Sequence, residues 1–406
     1  MTASRPLRIL FSSYHSYLDP SSGSTISLRD LFQLMTGLGW ECQVFSGPQL
    51  DYEEPRTIEQ LLNYVQLPFE TRKGTAHGLD FVLYNTIIDK IPVALYETPG
   101  HPPSRKLTIE QGRVHFTLFE KVLEQFQPDV MITYGGQIMA YPCMKRAKEQ
   151  GTKVVFWLRN TAYDNAQFFE QTAGIIVPST FSVEYYKQKL DLECTAIPSP
   201  MDWSRVQCEN IERTHLTFVN PSVVKGVYVF AAVARDLTKK RPDIPMLVVE
   251  SRGKVKWLEQ TGVDLQGANL KGMTNTRDPR KFYSMTRALI APSLWQETFG
   301  RVTAESLING IPVLASTRGG LREVVGKGGF LFNVPPEYTP ESRTVPRPDE
   351  IKDLIKMIER LWDDESFYVQ ACLNARVEAE KWSCDRLGAV YDRYFRQLLD
   401  HQTTEE

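Results

Sequence analysis

Short runs of Val, Ile, Leu and Phe alternate along the chain with longer segments whose apolar residues recur at helical spacing. This rhythm predicts strand-helix-strand units and parallel sheets. In the first half the predicted strands are RILFSSY (8–14), ECQVFS (41–46), DFVLYNT (80–86), VALYET (93–98), DVMITY (129–134), KVVFWL (153–158), GIIVPS (174–179) and CTAIPS (194–199). Helical patterns such as ISLRDLFQLMTGL, LTIEQGRVHFTLFEKVLEQF and FSVEYYKQKL separate them, while the stretch from Glu53 to Gly78 follows no clear period. Pro198, Pro200 and a polar run then interrupt the rhythm. It resumes with the strands LTFVNP, MLVVES, NLKGM, ALIAPS, PVLAS and GFLFN and with helices over 227–239, 280–285 and 303–309. PPEYTPESRTVPRPDE, with five prolines, reads as a surface connection before the last helices.

A chain of 406 residues exceeds what one hydrophobic core usually covers. The expected organisation is an α/β protein with a Rossmann-like domain over 1–200 and a second over 201–383, the final helix (about 384–400) packing back on the first. Open parallel sheets bind ligands at the carboxyl ends of their strands, so two facing sheets would place a ligand in the cleft between them. Composition narrows the partners: 47 basic against 49 acidic residues give a net charge of -2, which excludes a strongly basic nucleic-acid surface. No apolar run approaches bilayer length, and the opening MTASRPLRILFSSYHSY is too short in its apolar part for a signal peptide. Cys42, Cys143, Cys194, Cys208, Cys372 and Cys384 are scattered, as expected of reduced thiols in a cytoplasmic protein. Arg56, Arg72, Lys73, Arg105, Lys106 and Arg113, among aromatic residues, fit either a peripheral contact with the inner face of a membrane or an ordinary solvated surface.

Chemistry concentrates after the strand ALIAPS. There LWQETFGR enters a helix, so free backbone N–H groups and the positive end of the helix dipole form a seat for phosphate. Gly300 permits close backbone approach, Glu297 is placed to accept hydrogen bonds from sugar hydroxyls, and Glu305 from a second pair such as those of a ribose. Either carboxylate, taken alone, is equally a turn or helix-surface charge. His15, His77, His101, His115, His215 and His401 have no ligand spacing, and no P-loop or G-x-S-x-G elbow occurs.

The ordered features from Ala291 to Glu323, namely PS, ET, FG, a second Glu, G-IPVLAS, GG and a last Glu, resemble without a gap the signature of the family 4 glycosyltransferases. The resemblance implies a GT-B fold of two Rossmann-like domains and a retaining, metal-independent transfer of sugar from a nucleoside-diphosphate donor, UDP- or GDP-linked, to a sugar or lipid-linked acceptor. No cofactor is implied. By that resemblance Glu297 contacts the donor sugar, Thr298, Phe299, Gly300, Arg301 and Val302 line sugar and diphosphate, Met273 is a further donor contact, and Glu305 holds the ribose. Lys225 and Gly226 match the family's Lys-Gly, so Lys225 is expected to face the diphosphate. Asn220 stands where the family has Arg, which leaves Arg252 and Arg301 as candidates for the missing cation. Gly23 corresponds to one glycine of a family pair, with a plain Ser N-cap as the equal alternative; Arg159 stands where the family has a histidine beside the sugar. Gly135-Gly136 reads as a tight turn or as part of the acceptor side. Two other functions fit the same residues: a catalytically silent nucleotide-sugar-binding protein, or another GT-B enzyme such as a sugar-nucleotide epimerase.

Overall fold

The computed structural model describes residues 5–51, 56–100, 107–210 and 212–400. His101, Arg105, Lys106 and His401 of the sequence reading lie outside these. The chain forms two compact units, one made of residues up to 178 with 183–200 and those from 384 onward, the other of 179–182 and 201–383.

In the first unit the sheet contains β1 (Arg8–His15), β2 (Glu41–Gln49), β3 (Phe69–Ala76), β4 (Leu79–Ile88), β5 (Ile91–Glu97), β6 (Val130–Thr133), β7 (Lys153–Trp157), β8 (Gly174–Val177) and β9 (Thr195–Ala196). Their order is β3-β4-β5-β2-β1-β6-β7-β8-β9. Most pairs are parallel, but β3, β4 and β5 are joined antiparallel, which corrects the expectation of a wholly parallel sheet. Both hairpins are tight. Ala76 pairs with Leu79 across His77 and Gly78 (φ 50° and 78°), and Ile88 with Ile91 across Asp89 and Lys90 (φ 54° and 68°). Two consecutive positive φ values are the I′ geometry whose twist matches that of the strands. The stretch without a clear period holds β3 and the helix Ile58–Tyr64. β3 is an edge strand with little burial, so it has no apolar alternation to read. Thr57 and Gln60 cap the helix reciprocally, and buried Glu97 accepts from the Ile58 N–H at 2.9 Å.

The helix Ile109–Phe126 buries Val114, Leu118, Phe119 and Leu123 against this sheet. His115 goes in with them, its ring 5.0 Å from that of Phe45 and 5.5 Å from that of Tyr96. The last helix, Cys384–Asp400, belongs to this unit. Trp40 Nε1 donates to Asp392 at 2.8 Å, Tyr391 donates to the Pro198 carbonyl at 2.9 Å, and Gly388 lies against Leu34 and Leu38.

The second unit is a parallel sheet of β10 (His215–Val219), β11 (Met246–Val249), β12 (Leu270–Met273), β13 (Thr286–Ala291), β14 (Val313–Ser316) and β15 (Gly329–Phe332), in the order β12-β11-β10-β13-β14-β15. Phe218 of β10 sits level with Val248 on one side and Ile290 on the other. Helix Val227–Lys240 is buried from Val227 through Ala234, because the sheet covers one side and the helix Lys352–Asp363 another. Phe230 packs on Phe218 with ring centroids 4.7 Å apart, and cutting it to Ala would cost about 3–5 kcal/mol. The predicted proline-rich connection contains no helix or strand, yet it is held: Tyr338 donates to Glu350 at 2.8 Å and Arg318 to the Tyr338 carbonyl at 2.8 Å. From β10 the chain winds outward through β11 and β12, then crosses to β13 on the other side. Between the carboxyl ends of β10 and β13 this reversal leaves a crevice.

Candidate functional site

Glycines bring the loops at that crevice into backbone contact. Gly226, which starts the helix after β10, has φ 84°, and a Cβ there would lie 2.0 Å from the Pro292 carbonyl oxygen after β13. The loop after β13 is in turn shaped by the double glycine after β14. Gly319 has φ 61°, and its Cβ would lie 2.3 Å from the Glu297 carbonyl oxygen and 2.8 Å from its nitrogen. Gly320 donates its N–H to that same carbonyl at 2.6 Å. Gly300 closes the loop with φ 98° and begins the helix Arg301–Ile308. The glycines spaced through the sequence motif are thus steric requirements of one folded loop.

On this frame, Lys225 Nζ donates to Glu297 Oε1. Ser293 Oγ donates to the same oxygen at 3.0 Å. Lys225 keeps 32% of its side-chain surface exposed and Glu297 14%, so the pair stands at the edge of solvent. The sequence reading gave these two groups to different parts of one ligand; here each partners the other. A half-buried carboxylate and an ammonium on neighbouring loops satisfy one another when nothing else does.

Deeper in, Arg301 Nε donates to Glu305 Oε1 at 2.6 Å, one helical turn away. Tyr283, fully buried, donates to Glu305 Oε2 at 3.0 Å, and its hydroxyl is also 3.1 Å from the Val302 carbonyl. Desolvation first, then the Glu305 charge, pushes the Tyr283 hydroxyl well above its ordinary pKa, so it stays a donor. Thr298 and Phe299 are buried, with Phe299 edge-on to Trp382 at 6.0 Å.

Other predicted residues sit as follows. Asn220 directly follows β10 with φ 63°, and its amide oxygen accepts from Gly253 N at 2.7 Å. Arg252 is an exposed residue of the loop after β11, beyond the end of the strand. Met273 is the half-buried last residue of β12, its carbonyl accepting from Glu250 N at 2.8 Å. Gly23 is the first residue of helix Gly23–Gly37, whose N-cap is Ser22; a Cβ at Gly23 would meet nothing within 4 Å, so the glycine answers no close approach within the chain. In the first unit, Arg159 lies 3.4 Å over the Trp157 ring and its Nη2 is 3.5 Å from the Tyr391 hydroxyl; burial pulls its pKa down to about 10. Gly135 has φ 100°, and a Cβ there would strike the His15 ring at 2.6 Å.

Ser293, although part of the PS of the motif, was given no role by the sequence reading, and Tyr283 escaped it. Ser293 precedes Glu297 by one turn's spacing, a weak signal; Tyr283 gives none, because its partner lies across a strand. The last Glu of the motif, Glu323, has a local duty: its carboxylate accepts from Thr180 N (2.8 Å) and Phe181 N (2.7 Å), capping the short segment 179–182 that belongs to the second unit.

Of the basic residues, Arg72 and Lys73 lie exposed on β3, and the half-buried Arg56 stacks on Tyr64 at 4.2 Å. No helix of the described residues is long and apolar enough to cross a membrane.

Residues 214–364, which contain Lys225, Tyr283, Glu297, Arg301 and Glu305, match the family described as "Glycosyl transferases group 1". Among curated proteins, the chain is 27% identical over 153 residues to spore coat protein SA of Bacillus subtilis, covering 34% of this chain and 38% of that one. It is 30% identical over 121 residues to D-inositol 3-phosphate glycosyltransferase of Corynebacterium urealyticum, covering 27% and 28%. The chain thus spans well under half the length of either relative. Among solved structures it resembles HepE of Anabaena in complex with UDP and glucose, with a TM-score of 0.64 at 16% identity over 96% of this chain and 100% of that one. The fold shared with such neighbours is GT-B, two Rossmann-like units of α/β type.

Proposed function

We propose that this chain, whose residues 214–364 match the glycosyl transferases group 1 family, is an enzyme that moves a sugar from a nucleoside-diphosphate donor to an acceptor hydroxyl, with retention and without a metal. The observation that carries the reading is Lys225 and Glu297 meeting at the crevice between β10 and β13, on loops that glycines hold backbone to backbone. When donor enters, Lys225 exchanges Glu297 for the diphosphate, and Glu297 turns its oxygens to sugar hydroxyls. Glu305, fixed by Arg301 and Tyr283, presents its carboxylate to the ribose. As the bond from the anomeric carbon to the phosphate oxygen breaks, negative charge grows on the leaving diphosphate. Lys225 and the amides at the start of helix Arg301–Ile308 stabilise it, each such contact being worth about 3–4 kcal/mol when removed singly. The departing phosphate oxygen takes the acceptor proton on the same face. UDP or GDP is the expected carrier, the acceptor a sugar or lipid-linked hydroxyl, and the setting polysaccharide, glycolipid or glycosylated-metabolite synthesis.

A catalytically silent binder remains the second reading, favoured by Asn220, which stands where the family resemblance leads one to expect a cation. Incubation with UDP-, GDP- and dTDP-sugars separates the two. Melting temperature should rise with one donor class, and nucleoside diphosphate should be released faster when a mixture of sugar and lipid acceptors is added. Stabilisation without release would favour the silent binder; neither effect with any donor would contradict both.

A further inference from the structure

Lys225 alone is a weak match for a diphosphate, and Asn220 removes the cation that would stand beside it. We propose that Arg252, seated by Asn220, supplies the second positive charge, so that the phosphate-binding arginine has moved from the end of β10 to the loop after the neighbouring strand β11. This rests on the nucleotide-sugar reading of the site.

Three observations lead there. The first disposes of the alternative cation. Arg301 is held by Glu305 at 2.6 Å, with only 13% and 10% of the two side chains exposed, and the other Glu305 oxygen takes the Tyr283 hydroxyl. Drawing Arg301 onto a phosphate would strand a buried carboxylate without its counter-charge, a costly exchange. Arg301 is therefore a positioning residue for Glu305.

Second, Asn220 is built to hold the loop after β11. Its φ of 63° is a conformation that asparagine tolerates better than arginine does. Its amide oxygen accepts from Gly253 N at 2.7 Å, one residue beyond Arg252.

Third, Gly253 is seated directly on the loop that leads to Lys225. A Cβ at Gly253 would lie 2.6 Å from the Pro221 carbonyl carbon and 2.7 Å from Ser222 N. Ser251 N donates back to the Gly253 carbonyl at 3.1 Å, which folds the tip into a tight turn with the exposed Arg252 at its apex. β10 and β11 are adjacent and parallel, so this apex stands at the same carboxyl edge of the sheet as Lys225. Asn220 thus brings no guanidinium of its own and supplies instead the hydrogen-bond acceptor that holds the loop carrying Arg252.

The test is the ratio of UDP to UMP affinity, or of GDP to GMP if the guanine nucleotide binds the wild type more tightly, measured by calorimetry on the full chain at fixed salt. The ratio isolates the terminal phosphate from base and ribose. Arg252→Gln should cut it about tenfold or more, and Arg252→Lys should restore part. Asn220→Gly keeps the positive φ but lacks the acceptor, and should lower the ratio about threefold with UMP affinity unchanged. Arg301→Gln should weaken diphosphate and monophosphate together and leave the ratio alone. A wild-type ratio in Arg252→Gln, or a drop in Arg301→Gln alone, would overturn the proposal. Failure of the wild type to bind any of the four nucleotides would instead bring down the nucleotide-sugar reading, and this proposal with it.

Discussion

The carboxyl ends of the two sheets solve different problems. In the second unit the loops carry paired charges, Lys225 with Glu297 and Arg301 with Glu305, on backbone that only glycine permits at residues 226, 300 and 319. At the end of β1 in the first unit the groups are aromatic and hydroxylic: His15 is 5.4 Å from the Tyr134 ring, Tyr134 shares a hydrogen bond with Thr25 at 2.7 Å, and Ser13 donates to the Tyr134 carbonyl at 2.8 Å. Burial lowers the pKa of His15 in spite of the nearby Asp51 and Asp19 charges, which favours a neutral ring. Both ends use glycine for close approach, Gly135 against the His15 ring and Gly47 against the Tyr14 carbonyl in the first unit. The difference lies in what the glycines bring together: paired charges in the second unit, rings and hydroxyls in the first.

The largest way to break this contrast is through the glycines. Gly319→Ala forces a side chain into a positive-φ position and against the Glu297 backbone, so turnover with the donor found above should fall at least a hundredfold and the melting temperature by several degrees. A near-normal rate would mean that the double glycine does not shape the Glu297 loop.

Next in size is an acid effect confined to the first unit. His115 is fully buried among Phe45, Tyr96 and Tyr14, and desolvation pulls its pKa down to about 3. An unfolded histidine titrates near 6.5, so between these values the unfolded chain takes up a proton that the folded chain refuses. Stability therefore drops as pH falls through that window, by about 1.4 kcal/mol per pH unit from this group. Its Nδ1 has no hydrogen-bond partner among the described residues, so His115→Phe should fold and lose that slope. Denaturant unfolding at pH 7 and pH 5 checks it; an unchanged slope would place the acid sensitivity elsewhere.

A smaller effect should follow from Ser293→Ala, which removes the hydrogen bond that this hydroxyl donates to the Glu297 carboxylate, about 1.5 kcal/mol, and should slow turnover about tenfold with little change in stability. Smallest of all, Gly23→Ala places a side chain in open space at a helix start and should stabilise the chain by about 0.5–1 kcal/mol, measured in the same denaturant series. A destabilisation there would mean that the helix start requires glycine at residue 23 for a reason other than space.

The same contrast explains what could be read from the chain alone. β10, β11, β13 and β14 were legible because each is a largely buried apolar run, while β12 and β15, less buried, were read from their place in the alternation; the site followed because its glycines and charges keep strict spacing over 33 consecutive positions from Ala291 to Glu323. The β3-β4-β5 hairpins were not, since β3 is exposed and its His-Gly and Asp-Lys turns are weak signals. Nor was the partner of each charge: Lys225 and Glu297 are 72 residues apart, and only the order of β10 beside β13 brings them together. Tyr283 was invisible for the same reason. Asn220 was noticed as a departure from a family pattern, but its hold on Gly253 depends on the adjacency of β10 and β11.

The central claim is that the Lys225–Glu297 pair is exchanged for ligand, the lysine going to diphosphate and the carboxylate to sugar. Glu297→Gln separates these halves, because it frees Lys225 while weakening the grip on sugar hydroxyls. Titration of the wild type and this variant with UDP or GDP, and with the corresponding sugar donor, measures both. The exchange predicts that the free diphosphate binds the variant more tightly, about threefold or more, while turnover of the sugar donor falls about a hundredfold. Equal losses of affinity for the diphosphate and its sugar conjugate would contradict it.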